Sequence, residues 1–316
     1  MTWFDALAFT PITLVLVAAL YSVRSLRKIG SKLTAYQVEN RNASKKILGQ
    51  LHEINSSLQV VNLLTLNSGS NASSRDWSFV LSFTSHPARF AALPELLPSL
   101  ASQLLQPIEI HFNVAKDEAD QLSPELRTKL DRAGISIFEV DNLGPGKKLI
   151  PTLKRTNLPV ICIDDDLILE PDLTLQLMIQ HHLYPHSVIA SRTHRVTVEK
   201  TGMPKTFEQW DKQWADGSGP AEDLMATSGA GTLFTKDLLH EDALNEKLFT
   251  ELSLHTDDLW WYFQARRIGI NVRRIPGARE LNFIPDTQEV GLWRTGNKDR
   301  NELNLMKLID KYGKPF

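Results

Sequence analysis

A single cysteine, Cys162, stands among 316 residues, so the chain holds no internal disulfide and no cysteine cluster for a structural zinc site. That content is compatible with a reducing compartment but does not require one. An excess of either charge is also missing. The 35 basic and 37 acidic side chains leave a formal net charge of -2, and without a basic field a nucleic-acid partner is not expected. The histidines fall in no metal-ligand frame, and neither a Walker loop nor a dinucleotide fingerprint occurs. With 42% hydrophobic and 23% charged residues, the chain is excluded from the mostly disordered class. Its length suits one large or two ordinary domains, at ~150 residues per domain.

Long uncharged apolar runs are scarce. The conspicuous one covers residues 6–23, about 27 Å of helix at ~1.5 Å per residue, enough for a bilayer core. Trp3, Phe4 and Tyr21 suit the two interfaces, and a membrane helix tolerates Pro11 near its start. A cleaved signal peptide would need a basic leading segment and a small-residue cleavage site, which are missing. The expectation is therefore an uncleaved transmembrane anchor over residues 1–28. Arg24, Arg27, Lys28 and Lys32 follow the apolar run and no basic residue precedes it, which places the remainder of the chain in the cytoplasm. The Asn-x-Ser triplets at Asn42, Asn55 and Asn71 would instead suit a lumenal, type II arrangement such as a Golgi stem.

Residues 29–66 read as a helical stem. Ile47, Leu51, Ile54, Leu58 and Val61 keep heptad spacing, either for a stalk that makes a homo-oligomer or for an amphipathic helix lying on the following domain. Residues 67–76 (NSGSNASSRD) are a linker by composition, and residues 77–316 form the globular domain. Within it, apolar runs at 77–84, 108–114, 135–140 and 160–163 alternate with helical stretches at 87–105 and 124–133, the pattern of a parallel α/β sheet. Ligands of such sheets bind beyond the carboxyl ends of the strands. The candidates are then residues 85–89, 113–117, 141–148 and 164–166.

The sharpest feature is Asp164-Asp165-Asp166, directly after a buried strand. Adjacent carboxylates repel, and a hard divalent cation relieves that cost while keeping water and substrate phosphates as further ligands; the alternative is a solvated acidic turn. A second feature, Gly144-Pro145-Gly146-Lys147-Lys148, permits close backbone approach. It places lysine at a helix start, against the dipole, which hints at an anionic partner; a plain loop is the even alternative. A third, Thr227-Ser228-Gly229-Ala230-Gly231, lets a ligand lie against the backbone or makes an ordinary turn. A fourth is a helix opened by Thr256-Asp257-Asp258 and closed at Gly269, whose Trp260-Trp261-Tyr262 block points to a pocket. Trp210 and Trp214 read as a mobile aromatic loop that stacks on a sugar or simply packs. The His181-His182 pair reads as a solvated helix end, and residues 301–311 as a helix that packs on the core or covers the ligand.

Taken in order, Gly144-Pro145-x-x-Lys148-Leu149-Ile150-Pro151, Asp164-Asp165-Asp166, Ser228-Gly229-Ala230-Gly231 and Thr256-Asp257-Asp258 resemble the GT-A glycosyltransferases, the nucleotide-diphospho-sugar transferases similar to family-2-like enzymes. The resemblance covers roughly residues 77–275. It implies a GT-A, Rossmann-like, mostly parallel sheet flanked by helices. It also implies Asp164 and Asp166 as ligands of Mn²⁺ or Mg²⁺, Asp165 toward the ribose or sugar, and Lys148 and Arg89 toward the donor. Gly229 and Gly231 would lie beneath the sugar or acceptor, with Asp258 as catalytic base and Asp257 the second candidate. Arg192, His194 and Arg195 would contact phosphate. The implied activity is transfer from a nucleotide-sugar donor to a glycan, lipid-linked or protein acceptor, with inversion. One departure is that Asp257 stands where family members often carry Glu. Two rivals remain: a haloacid-dehalogenase-type phosphatase, whose Asp-x-Asp ends the first strand of its domain, and a non-catalytic sugar-binding protein on the same fold.

Overall fold

β-Branched and aromatic residues in short uninterrupted runs favour strands buried on both faces, and the computed structural model, which describes residues 77–277, 279–290 and 297–315, has strands at each such run. In chain order the elements are β1 (Val80–Thr84), α1 (Leu93–Ala101), β2 (Glu109–Ala115), α2 (Pro124–Arg132), β3 (Ile135–Val140), α3 (Ile150–Arg155), β4 (Val160–Cys162), α4 (Leu173–Leu183) and β5 (Ser187–Ala190). There follow β6 (Thr193–Arg195), β7 (Leu224–Ala226), β8 (Thr232–Phe234), α5 (Glu246–Ser253), α6 (Asp257–Arg266), β9 (Asn271–Arg274) and α7 (Asn297–Tyr312). The expected anchor, stem and linker lie outside the described residues. Among the described residues, no helix is long and apolar enough to cross a membrane.

One seven-stranded sheet runs in the order β3-β2-β1-β4-β8-β5-β9. β8 is antiparallel to β4 and β5, and the other pairings are parallel. β6 and β7 pair separately, antiparallel. The architecture is mixed α/β, a mostly parallel central sheet flanked by helices, as the strand-helix alternation predicts.

Side chains alternate across the sheet with period two. Val80, Val160 and Cys162 enter the core built with Leu149, Leu153, Phe249 and Trp260, whereas Leu81, Ile161 and Ile163 enter the opposite one with Leu96, Leu130 and Leu177. The helices α3, α5, α6 and α7 therefore cover one face, and α1, α2 and α4 the other.

Several expectations change here. The helix expected over 87–105 is a 3-10 turn, Pro87–Ala92, followed by α1, because Pro94 near the start of α1 has no N–H to continue the preceding turn. Trp260, Trp261 and Tyr262 are core residues, 0%, 2% and 2% exposed, so the aromatic block supports α6 from within the core. Trp210 is likewise buried, and its indole N–H donates to the Lys205 carbonyl. His181 and His182 are partly buried: the His182 ring stacks on Trp77 at 4.4 Å, and burial lowers His181 to a pKa of about 4. The C-terminal helix α7 packs Leu305 and Leu308 into the core.

Candidate functional site

The candidate loops gather beyond the carboxyl ends of β1 and β4, which are neighbours in parallel register. Asp164 follows β4, and its backbone N–H donates to the Gly229 carbonyl at 2.8 Å. This bond brings the Ser228–Ala230 turn against the acidic run. A Cβ on Gly229 would collide with the Asp164 carboxylate, so glycine is needed for that approach. Gly231 adopts φ +105°, a backbone state that favours glycine. Gly146 is required for another reason: a Cβ there would meet the Phe249 ring at 2.5 Å. The Gly-Pro-Gly segment thus seats against the core rather than leaving room for a ligand.

Each of the three adjacent acids is held differently. Asp165 accepts hydrogen bonds from the Ser85 hydroxyl and, at 2.7 Å, from Arg89. The second arm of the same guanidinium lies 3.0 Å from Asp166, which also accepts from Gln288 at 2.8 Å. The Asp164 side chain is 44% exposed, and its partner is the buried Lys148 ammonium at 2.8 Å. Burial and the repulsion of Asp164 push Asp166 up to a pKa of about 6, against the pull of Arg89.

Lys148 links two parts of the site. It ends the 3-10 turn Gly144–Lys148 before α3, and its Nζ reaches Asp257 at 3.2 Å as well as Asp164. Burial disfavours its charge, but Asp164, Asp257 and Asp258 outweigh that cost and hold it well above the ordinary lysine value. The anionic partner that a lysine at a helix start hints at is therefore, in part, the protein's own carboxylates. Substituting Lys148→Met would leave buried Asp257 without its cation. The expected loss is about 3 kcal/mol of unfolding free energy, read by urea denaturation at pH 7; an unchanged midpoint would show the bridge to be incidental.

Asp257 and Asp258 open α6, where a helix N-terminus favours carboxylates. The Ser228 hydroxyl donates to Asp258 at 2.6 Å and lies 3.0 Å from Asp257, and the Ser228 N–H donates to Asp258 at 2.7 Å. Burial and the neighbouring Asp257 raise Asp258 to a pKa of about 6, with Lys148 and Ser228 opposing. A carboxylate in this range is suited to accept a proton near neutral pH.

Among the described residues, no three His, Cys, Asp or Glu side chains converge as an all-protein metal site. Asp164 and Asp166 nonetheless fit a hard divalent cation. Their mutual repulsion is what such an ion relieves, and Mg²⁺ is commonly held by one or two carboxylates with water and substrate phosphates completing the shell.

No protein-family profile and no curated protein match the chain. Solved structures similar to it include TarS of S. aureus in three forms. Residues 1–349 with UDP are 16% identical, with TM-score 0.42, over 65% of this chain and 59% of that one. Another structure of residues 1–349 is 14% identical, with TM-score 0.44, over 74% and 72%. A further structure of TarS is 17% identical, with TM-score 0.43, over 65% and 36%. The chain thus spans 59% of the first of these structures. Likeness this distant assigns neither chemistry nor substrate.

The structure brings together Arg89, Lys148, Asp164, Asp165, Asp166, Gly229, Asp257 and Asp258. Gly231 contributes through the turn alone. Of the predicted phosphate contacts, Arg195 is spent on Asp223 at 2.7 Å and His194 accepts from the Gln213 N–H. Gln288 carried no sequence signal, since it meets Asp166 across 122 residues. Gly229→Ala is expected to change unfolding stability by less than ~1 kcal/mol, because the partly exposed Asp164 side chain can swing aside. Urea denaturation of that variant would read the change.

Proposed function

We propose that the chain is a metal-dependent glycosyltransferase of the GT-A type, moving a sugar from a nucleotide-diphosphate donor to an acceptor hydroxyl with inversion. The observation that carries this reading is the Lys148 ammonium, which ties Asp164 beyond β4 to Asp257 at the start of α6. That contact supports the reading because it joins one of the acids that would hold the metal to Asp257, the chain neighbour of the proposed base Asp258.

Asp164 and Asp166 would hold Mn²⁺ or Mg²⁺, and the ion would offset charge developing on the departing nucleoside diphosphate. Arg89 and Ser85 orient Asp165 on the side of β1, where the ribose or sugar would lie. Lys148 holds Asp164 and Asp257 in place and meets the donor from the core side. Gly229 lets the Asp164 carboxylate lie against the turn. Asp258, fixed by two donors from Ser228, takes the proton of the acceptor hydroxyl. That oxygen forms its bond to the anomeric carbon as the bond to diphosphate breaks.

The anchor at residues 1–28 and the stem at 29–66 complete the proposal. They would keep the domain on a membrane, facing the cytoplasm, with a glycan, lipid-linked glycan or protein as acceptor. The phosphatase rival is disfavoured because the acids end the fourth strand of the described sheet rather than the first. A panel of nucleoside diphosphates in thermal unfolding, with and without Mn²⁺, tests the reading through linkage. One nucleotide should raise the midpoint only with the metal, and the matching nucleotide sugar should be slowly hydrolysed. No shift with any nucleotide would reject the transferase, and a shift without hydrolysis or transfer would leave a binding protein.

A further inference from the structure

Arg89, Arg195, Arg266, Arg267 and Arg279 each hold a carboxylate, and Arg155, Arg273 and Arg274 bond to amide or backbone oxygens. Arg192 holds no carboxylate among the described residues. Its Nε is buried without a hydrogen-bond partner there, as are those of Arg89, Arg274 and Arg279, but those three guanidiniums bond through their other nitrogens. A buried donor left unmade is costly and calls for an explanation.

The position of Arg192 is built. Its carbonyl accepts from the Thr227 N–H at 3.0 Å, while the N–H of neighbouring Ser191 donates to Gly231 at 2.9 Å and the Ser191 hydroxyl to the Ala230 carbonyl. Both residues are thereby fastened to the turn that carries Gly229 and orients Asp258 through Ser228. Arg192 also lines an open surface cleft with Leu167, Leu173, Ala230, Glu280 and Leu281. The other guanidinium of that cleft, Arg279, is spent on Glu170 and Asp172. Asp258 and Asp164 are near enough for their charges to act on Arg192, although neither pairs with it.

The cleft lies on the β5 side of the acidic run. β8 separates β5 from β4, whereas Arg89 and Ser85 approach the acids from β1. We infer that Arg192 receives an oxyanion, phosphate or carboxylate, carried by the acceptor, so that the second substrate is an anionic one. This inference rests on the transferase reading. The planar guanidinium suits either group through paired charge-assisted hydrogen bonds, and the common tether of Arg192 and Asp258 would set the attacking hydroxyl beside the base.

The test uses the full chain saturated with Mg²⁺ and the nucleoside diphosphate selected by thermal unfolding, titrated calorimetrically with inorganic phosphate or with acetate. At least one anion should bind the wild type, at least tenfold more weakly to R192Q and to an intermediate degree to R192K, with nucleotide affinity unchanged. The preferred anion tells a phosphate-bearing from a carboxylate-bearing acceptor. Equal affinity in wild type and R192Q, no binding of either anion, or displacement of the nucleotide by phosphate would overturn the inference; the last would assign Arg192 to the donor. If no nucleotide binds even the wild type, the transferase reading itself fails. The same titration on nucleotide-free protein then decides whether Arg192 is an oxyanion site at all. Should R192Q not fold, R192K against wild type carries the comparison.

Discussion

Asp258→Asn is expected to lower turnover by ~10²–10⁴, the usual worth of a positioned general base, while the metal-dependent shift with nucleoside diphosphate stays as in the wild type. Asparagine keeps the size of the side chain and an oxygen that can accept from the Ser228 N–H, so the α6 N-terminus and the turn should hold their geometry. What is lost is the capacity to take a proton. The same reasoning sets a pH profile. Burial and Asp257 raise Asp258 to a pKa of about 6, and the active form is the carboxylate. Wild-type turnover should therefore be flat above that value and fall about tenfold per pH unit below it, as protonation removes the base. Steady-state kinetics with saturating donor would show this limb. If the asparagine variant instead loses nucleotide binding with turnover, Asp258 is a structural residue.

Asp166→Ala should abolish metal-dependent nucleotide binding, because Asp164 alone cannot hold a divalent ion against water. The ligand-free protein should tolerate the change. Asp166 has a folded pKa near 6, above the ordinary carboxylate value, so its ionisation opposes folding above that pH. Removing it relieves repulsion with Asp164, and Arg89 keeps Asp165 as a partner. The expected pattern is a thermal midpoint close to wild type without ligand and no shift with Mn²⁺ and nucleotide. A retained shift would remove Asp166 from the metal site and leave the proposed mechanism without its cation.

The approximate places of the main strands were legible because strand formation answers to local pattern: a run such as Val160-Ile161-Cys162 is apolar on both faces wherever the sheet lies. Strand order was less accessible. The insertion of β8, antiparallel, between β4 and β5 depends on a chain return after β7 that no local periodicity announces. The four motifs do meet in space, yet two signals misled. The Trp260-Trp261 pair suggested a pocket, whereas large apolar rings gain most by complete burial beneath α6. Gly146 suggested ligand approach, but its missing Cβ makes room for Phe249.

Residue type and spacing by themselves determined an α/β domain, the acids beyond the fourth strand, and the acidic start of α6, since each follows from contacts within a few residues. Only the tertiary structure decided that Lys148 joins those two acidic sites, that Arg89 and Gln288 share Asp166, and that Arg192 is left without a carboxylate. Such pairings join residues up to 122 positions apart in the chain. Charge neutralisation acts through space, and the balance among several candidate partners is settled by which of them packing brings within hydrogen-bond reach.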